Sequence, residues 1–156
     1  MAAALCADRA RRRAAIMPMQ EAPILSVSDR LAIHELISLY GHLVDQRQFS
    51  QLGRIFTDDA VFDLGKYDGS CYRGLPAIQT MMLASSEHPL AHHATNVVVL
   101  AQADGIAVIS KGIGVGAGGR VGSVTYRDRL ALTPQGWRIQ ERCCELRLPD
   151  AIPDPT

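Results

Sequence analysis

Four stretches decide the fold: His92-His-Ala-Thr-Asn-Val-Val-Val-Leu-Ala101, Ile106-Ala-Val-Ile-Ser-Lys-Gly-Ile-Gly-Val115, Val121-Gly-Ser-Val-Thr-Tyr-Arg-Asp-Arg-Leu-Ala-Leu132 and Trp137-Arg-Ile-Gln-Glu-Arg-Cys-Cys-Glu-Leu-Arg-Leu148. Each is rich in β-branched and other apolar residues and predicts a strand. The links between them are short: Asp104-Gly105, Gly116 to Arg120, and Pro134-Gln-Gly136. Consecutive strands joined this way form an antiparallel meander, because a parallel pair needs a crossover of roughly a dozen residues or more. No helical pattern fits between them, so a doubly wound parallel sheet is excluded.

Upstream of the strands the periodicity changes. Ser26-Val-Ser-Asp29 carries the spacing of a helix N-cap, a hydroxyl followed three residues on by a carboxylate. Ile33, Leu36, Ile37, Tyr40, Leu43 and Val44 then recur at three-and-four spacing, which predicts a long helix ending near Arg47 with one core-facing stripe. A short helix is expected over residues 50–56, a strand over Ala60-Val-Phe-Asp63, a loop or short hairpin over residues 65–74, and a helix over residues 75–85 with Pro76 in its first turn. Helices first and strands afterwards is an α+β order, with the helices covering one face of the sheet.

A chain of 156 residues is in the range of one domain with one core. Its formal net charge is zero, which argues against a phosphate-binding surface and so against nucleic acid as a partner. No apolar run approaches the roughly 18 to 20 residues that would cross a bilayer, so a soluble protein without membrane association is expected. The four cysteines, Cys6, Cys71, Cys143 and Cys144, form neither a CxxC pair nor a metal knuckle, and reduced thiols in a cytoplasm fit them best. Residues 1–25 read as a disordered extension rich in Ala and Arg, residues 26–148 as the folded domain, and the proline-containing residues 149–156 as an irregular tail.

Several residues invite a chemical reading. Gly114, Gly116 and Gly119 match G-x-G-x-x-G in form, but a strand follows where a dinucleotide site needs a helix. Alternate glycines at 112, 114, 116 and 118 strip one strand face of side chains and leave room for a ligand or another subunit. The five histidines lack the spacing of a metal site, so no metal is expected. Asp45 falls near the C-terminus of the long helix, where the helix dipole disfavours a carboxylate unless a partner or a task compensates; an ion pair with His42 or Arg47 is the ordinary alternative. Tyr40 lies in the apolar stripe. Asp128 interrupts the apolar alternation Val124, Tyr126, Leu130, Leu132, so it either anchors backbone or faces a pocket. His92 and His93 must point to opposite faces of a strand, and only one looks into a pocket.

The segments Asp29-Arg-Leu-Ala-Ile-His-Glu-Leu-Ile-Ser-Leu-Tyr40, Leu52-Gly-Arg-Ile-Phe-Thr-Asp-Asp-Ala-Val-Phe-Asp63, His92-His-Ala-Thr-Asn96 and Gly136-Trp-Arg-Ile139 resemble the SnoaL-like branch of the NTF2-like superfamily. The resemblance implies a cone-shaped, curved antiparallel sheet with helices packed on its concave face. It is specific for the fold and weak for the reaction, since this scaffold hosts dehydratases, isomerases, cyclases, epoxide hydrolases and proteins that only bind. A Tyr, an Asp five residues later and a His opening a central strand are similar to the arrangement in bile-acid 7α-dehydratase and, for Asp and His, in scytalone dehydratase. Carried over, they fall on Tyr40, Asp45 and His93, with Asn96, Tyr126, Asp128 and Trp137 as substrate-contacting candidates. The second histidine of scytalone dehydratase has no counterpart here.

The resemblance implies general acid–base chemistry without a cofactor. His93 would act as base, Asp45 as its partner and Tyr40 as acid or oxyanion donor, on a small hydrophobic cyclic substrate such as a steroid-like or polyketide-like ketone. A non-catalytic binding or assembly module on the same fold is the main alternative; epoxide hydrolysis through Asp45, Arg127 and Asp128 is a further one. A homodimer is implied by resemblance alone.

Overall fold

The computed structural model describes residues 24–65, 68–85 and 88–146. Helix α1 (Val27–Asp45) opens with the expected capping box: the Ser26 hydroxyl accepts from the Asp29 backbone N–H while the Asp29 carboxylate accepts from the Ser26 N–H. A 3-10 helix (Phe49–Arg54) supplies the expected short helix, and Phe56 already belongs to strand β1 (Phe56–Leu64). β1 and β2 (Ser70–Arg73) form a hairpin, and helix α2 (Leu75–Ala84) comes next with proline in its first turn. The four expected strands are β3 (Ala91–Gln102), β4 (Gly105–Val115), β5 (Val121–Thr133) and β6 (Gly136–Leu146).

The six strands form one curved, unclosed sheet in the order β2-β1-β6-β5-β4-β3. β3 to β6 are the antiparallel meander read from the sequence. β1 adds to it by pairing parallel to β6, a contact that the helical segments between β1 and β3 make topologically available. The core lies between α1 and the sheet: Ile33, Leu36, Ile37, Tyr40, Leu43 and Val44 from the helix meet Phe56, Phe62, Val108, Tyr126, Leu130 and Ile139 from the strands.

Two bulges shape this face. In β3 the register shifts between Thr95 and Val98, where Asn96 takes φ +52°. In β6 it shifts opposite the Arg129/Leu130 step, so that Gln140 is the extra residue. A bulge reverses which alternate side chains face the core. In β6 the buried positions accordingly change from Ile139 to Arg142 and Cys144.

At Gly112 and Gly114 the room left by the alternate glycines is taken by the protein itself, while Gly118 adjoins open space. A Cβ at Gly112 would overlap the Tyr126 ring, and one at Gly114 would stand 2.8 Å from the Pro89 ring. Cys71 is disulfide-bonded, against the expectation that every thiol is reduced. Cys143 and Cys144 carry thiols. The expected extension, apart from Ile24 and Leu25, and the whole expected tail lie outside the described residues.

Candidate active site

Asp45 is the last residue of α1, and its compensation comes from neither His42 nor Arg47. Its Oδ1 pairs with His92 Nδ1 at 2.6 Å, and its Oδ2 accepts from the His92 backbone N–H at 3.0 Å. Both carboxylate oxygens therefore bind one residue and tie the helix end to the start of β3. Gly41, one turn earlier, allows the approach: a Cβ there would lie 2.8 Å from the His92 carbonyl oxygen. Against an ionised carboxylate, which only accepts, Nδ1 is the donor of this contact, and the neutral tautomer with that proton presents its lone pair at Nε2. Among the described residues no hydrogen bond engages that Nε2. The two side chains retain 14% and 23% exposure, so a solute can reach them.

Behind this pair lies a fully buried one. Asp128 and Arg142, cross-strand neighbours on β5 and β6, meet through two hydrogen bonds of 2.8 and 2.7 Å, with both side chains at 0% exposure. The guanidinium packs in the corner formed by the edge-to-face Tyr40 and Tyr126 rings, its Cζ 4.3 Å from each centroid, so that both rings face a delocalised cation. Burial works against the Arg142 charge, but the Asp128 carboxylate outweighs it and raises the pKa further. Burial pushes the Tyr126 hydroxyl up to about 12, and burial followed by the neighbouring Tyr126 holds Tyr40 well above the ordinary phenol range. Burial likewise pushes the Cys144 thiol up to about 12. Both tyrosines are thus neutral hydrogen-bond donors at any physiological pH.

Three buried polar atoms, Arg142 Nη1, Ser110 Oγ and Thr57 Oγ1, have no hydrogen-bond partner among the described residues, and the first two lie beside this pair. Ser110 faces the core on the rung next to the ion pair, opposite Tyr126. A buried donor left unpaired costs about 1–3 kcal/mol. The Tyr40 ring connects the two pairs, 6.3 Å from the His92 ring and 6.0 Å from the Tyr126 ring. An imidazole, two neutral phenols and a fixed cation are therefore neighbours around the Tyr40 ring.

The expected residues divide accordingly. Tyr40, Asp45, Tyr126 and Asp128 are brought together on the concave face. His93 is not: it is exposed, on the opposite face of β3 from His92, and the expected Asp45–His93 pair is corrected to Asp45–His92. Asn96 is the exposed bulge residue, accepting from the Thr95 hydroxyl at 2.8 Å, and its value lies in turning the strand rather than in reaching the interior. Trp137 stands at the outer surface, where its Nε1 donates to Asp29 Oδ1 at 3.0 Å. Arg127, paired with Glu145 on an exposed face, is not the partner of Asp128. The residues missed from the sequence are His92, Arg142 and Ser110. The signal for His92 and Arg142 is strand register, since each faces the core only once the bulges are placed, whereas Ser110 follows from the plain alternation of Ile106 and Val108 on β4.

A family model described as a SnoaL-like domain matches residues 25–143. Uncharacterized proteins of Mycobacterium tuberculosis (strain ATCC 25618 / H37Rv) and Mycobacterium bovis are each 34% identical over 139 residues, covering 82% of this chain and 92% of the relative. Among solved structures, an NTF2-like protein with a cystatin-like fold from Novosphingobium aromaticivorans superposes with a TM-score of 0.68 at 21% identity, over 80% of this chain and 86% of that one. A candidate scytalone dehydratase from the same organism gives 0.63 at 14% identity, over 78% and 86%. At these identities the two structures speak for the fold alone.

Proposed function

Because the chain belongs to the SnoaL-like family, we propose that it is a cofactor-independent lyase or isomerase, a dehydratase in the first instance, acting by acid–base catalysis on a small hydrophobic cyclic ketone or ketol. The observation that carries this reading is the Asp45–His92 pair: a histidine whose Nδ1 is held by a carboxylate while Nε2 is unengaged at an accessible position. His92 takes the role expected of His93. Its Nε2 removes a proton from a carbon beside the carbonyl, and Asp45 stabilises the imidazolium that forms. Negative charge then develops on the carbonyl oxygen. Neutral Tyr40 and the fixed charge of Arg142 are the donors suited to it, and neither needs to change protonation to act. In a dehydration the hydroxyl leaves from the carbon next to the enolate, and the imidazolium returns the proton to it, so the products are an enone and water. The same reading takes the protein as a cytoplasmic homodimer. No described helix is long and apolar enough to cross a membrane.

A second reading, a non-catalytic binding module, draws on the fully buried Asp128–Arg142 pair and the two tyrosine rings packed against it, which occupy interior space with protein. One experiment separates the two. A panel of cyclic β-hydroxy ketones is incubated with the native protein and with His92→Gln, Asp45→Asn and His93→Gln, and enone formation is followed by absorbance. The enzyme reading expects turnover that falls by about 10² to 10⁴-fold in the first two variants and is unchanged in His93→Gln. Ligand binding without turnover, equal in all four proteins, favours the binding module.

A further inference from the structure

On the outer surface a groove of about 670 Å³ runs between α1 and the β5–β6 turn. It shares no residue with the interior pairs. Its size falls within the usual range for small-molecule sites, about 300–1,000 Å³. Leu36, Leu39 and Trp137 supply apolar lining, and Trp137 is held in place by its hydrogen bond to Asp29.

Two cations face this groove, Arg54 and Arg138. Arg138 is fixed by donating Nε to the Gly53 carbonyl at 3.0 Å and Nη1 to the Trp137 carbonyl at 2.8 Å, while Arg54 donates Nη1 to Gln51 at 2.9 Å. All these acceptors are neutral. Among the described residues neither arginine pairs with a carboxylate, in contrast to Arg127, Arg129 and Arg142, each of which does. Glu35 is the one acidic residue lining the groove, so the lining keeps an excess of positive charge next to an indole. His34 and His42, about two turns apart on α1, add ring nitrogens able to donate or accept.

We propose that this groove is a second ligand site, for an amphipathic organic carboxylate whose apolar body lies against Trp137 and whose carboxylate is held by Arg54 and Arg138. An apolar body alone would leave the two guanidinium charges unanswered. A small inorganic anion would leave the apolar lining uncovered. A molecule with both parts satisfies both, and a planar guanidinium is matched to the two oxygens of a carboxylate.

Trp137 is the single tryptophan of the chain, so its fluorescence reports the groove directly. The probe is 4-phenylbutyrate, titrated into the full-length protein with excitation where tyrosine does not absorb, against 4-phenylbutanamide as its neutral counterpart. The expected result is a saturable change with the acid, weakened about tenfold or more for the amide and for Arg54→Gln, and unchanged in His92→Gln. Arg138→Lys, which keeps the charge and loses the fork, is expected to bind more weakly while melting as the native protein does. No saturable change, equal binding of acid and amide, or loss of the signal in His92→Gln would each overturn the proposal. The last outcome would mean that the acid occupies the interior and that Trp137 responds at a distance.

Discussion

Two of the acid–base pairs among the described residues reach the interior face of the sheet, and they are built for different ends. Asp128 and Arg142 meet on adjacent strands with both side chains at 0% exposure, through two hydrogen bonds and against two aromatic rings. Asp45 and His92 meet where a helix end touches a strand start, with 23% and 14% of their side chains exposed. In the first pair the base is a guanidinium that stays protonated, so the pair sets charge and shape and exchanges no proton. In the second the base is an imidazole, which can exchange one. A buried ion pair of the first kind is weak evidence for stability, since desolvation offsets much of its attraction, yet breaking it is costly. A carboxylate–imidazole pair within reach of solvent has the opposite balance: little stability rests on it, and chemistry can.

The largest expected effect follows from the buried pair. Arg142→Met leaves the Asp128 carboxylate buried without its cation and is expected to cost about 3–5 kcal/mol in urea denaturation. Asp128→Leu combined with Arg142→Met should recover a good part of that loss, which would show that the single variant suffers from an orphaned charge and not from lost packing. A combination no better than the single variant would remove the contrast drawn between the two pairs.

Gly41→Ala should have an intermediate effect and touch both properties at once. The added methyl meets the His92 carbonyl oxygen at 2.8 Å, both of them backbone-fixed, so α1 must shift from β3. A cost of about 1–3 kcal/mol is expected, typical of overpacking, although alanine is the better helix former. The Asp45–His92 contact should open with it, and any turnover found for the native protein should fall. Unchanged stability would show that the helix does not rest on the strand at this point.

His92→Gln and Asp45→Asn are the counterpart. With both side chains partly exposed, each is expected to cost only about 1 kcal/mol in the same denaturation while abolishing most activity. A loss as large as that of Arg142→Met would assign the pair to structure.

The smallest effect concerns pH. Burial raises Tyr126 to about 12 and holds Tyr40 well above its ordinary value. A raised phenol pKa contributes stability that is fully present below the unfolded value of about 10 and is lost as pH rises through the folded one. Alkaline titration followed by tyrosinate absorbance should therefore show part of the tyrosine signal resisting ionisation until the protein unfolds. Ionisation of all four tyrosines near pH 10 with the fold intact would contradict the burial of this cluster.

The fold was legible from the sequence because hydrophobic period and link length settle it together. The Ser26–Asp29 cap, the stripe from Ile33 to Val44 and the four strands after Pro89 stand where the pattern puts them. The parallel pairing of β1 with β6 was not legible, since nothing in the Phe56–Leu64 pattern names its neighbour. The site was legible by residue type and not by register, and the two bulges account for the errors. Counting alternately back from the core-packed Val99 and Val97 in an unbroken strand turns His93 inward; the extra residue at the Asn96 bulge reverses the parity and turns His92 and Ala94 inward instead. In the β5–β6 hairpin, extending the Thr133–Gly136 pairing without a bulge sets Asp128 opposite Glu141, two like charges. The extra residue at Gln140 brings Arg142 opposite Asp128. One inserted residue in each strand thus decides which histidine meets Asp45 and which side chain meets Asp128, and no residue in either segment announces it as glycine or proline would.

The central claim is that Asp45 holds His92 in one tautomer with Nε2 left to act, and nitrogen NMR tests it without knowledge of the substrate. In protein labelled with ¹⁵N at histidine, at a pH where the ring is neutral, Nδ1 of His92 should appear as a protonated, pyrrole-type nitrogen and Nε2 as an unprotonated, pyridine-type one. Asp45→Asn should erase that preference while His93 keeps the averaged shifts of an exposed, exchanging ring in both proteins. If His92 is averaged between tautomers in the native protein, or if the fixed ring proves to be His93, the account is contradicted.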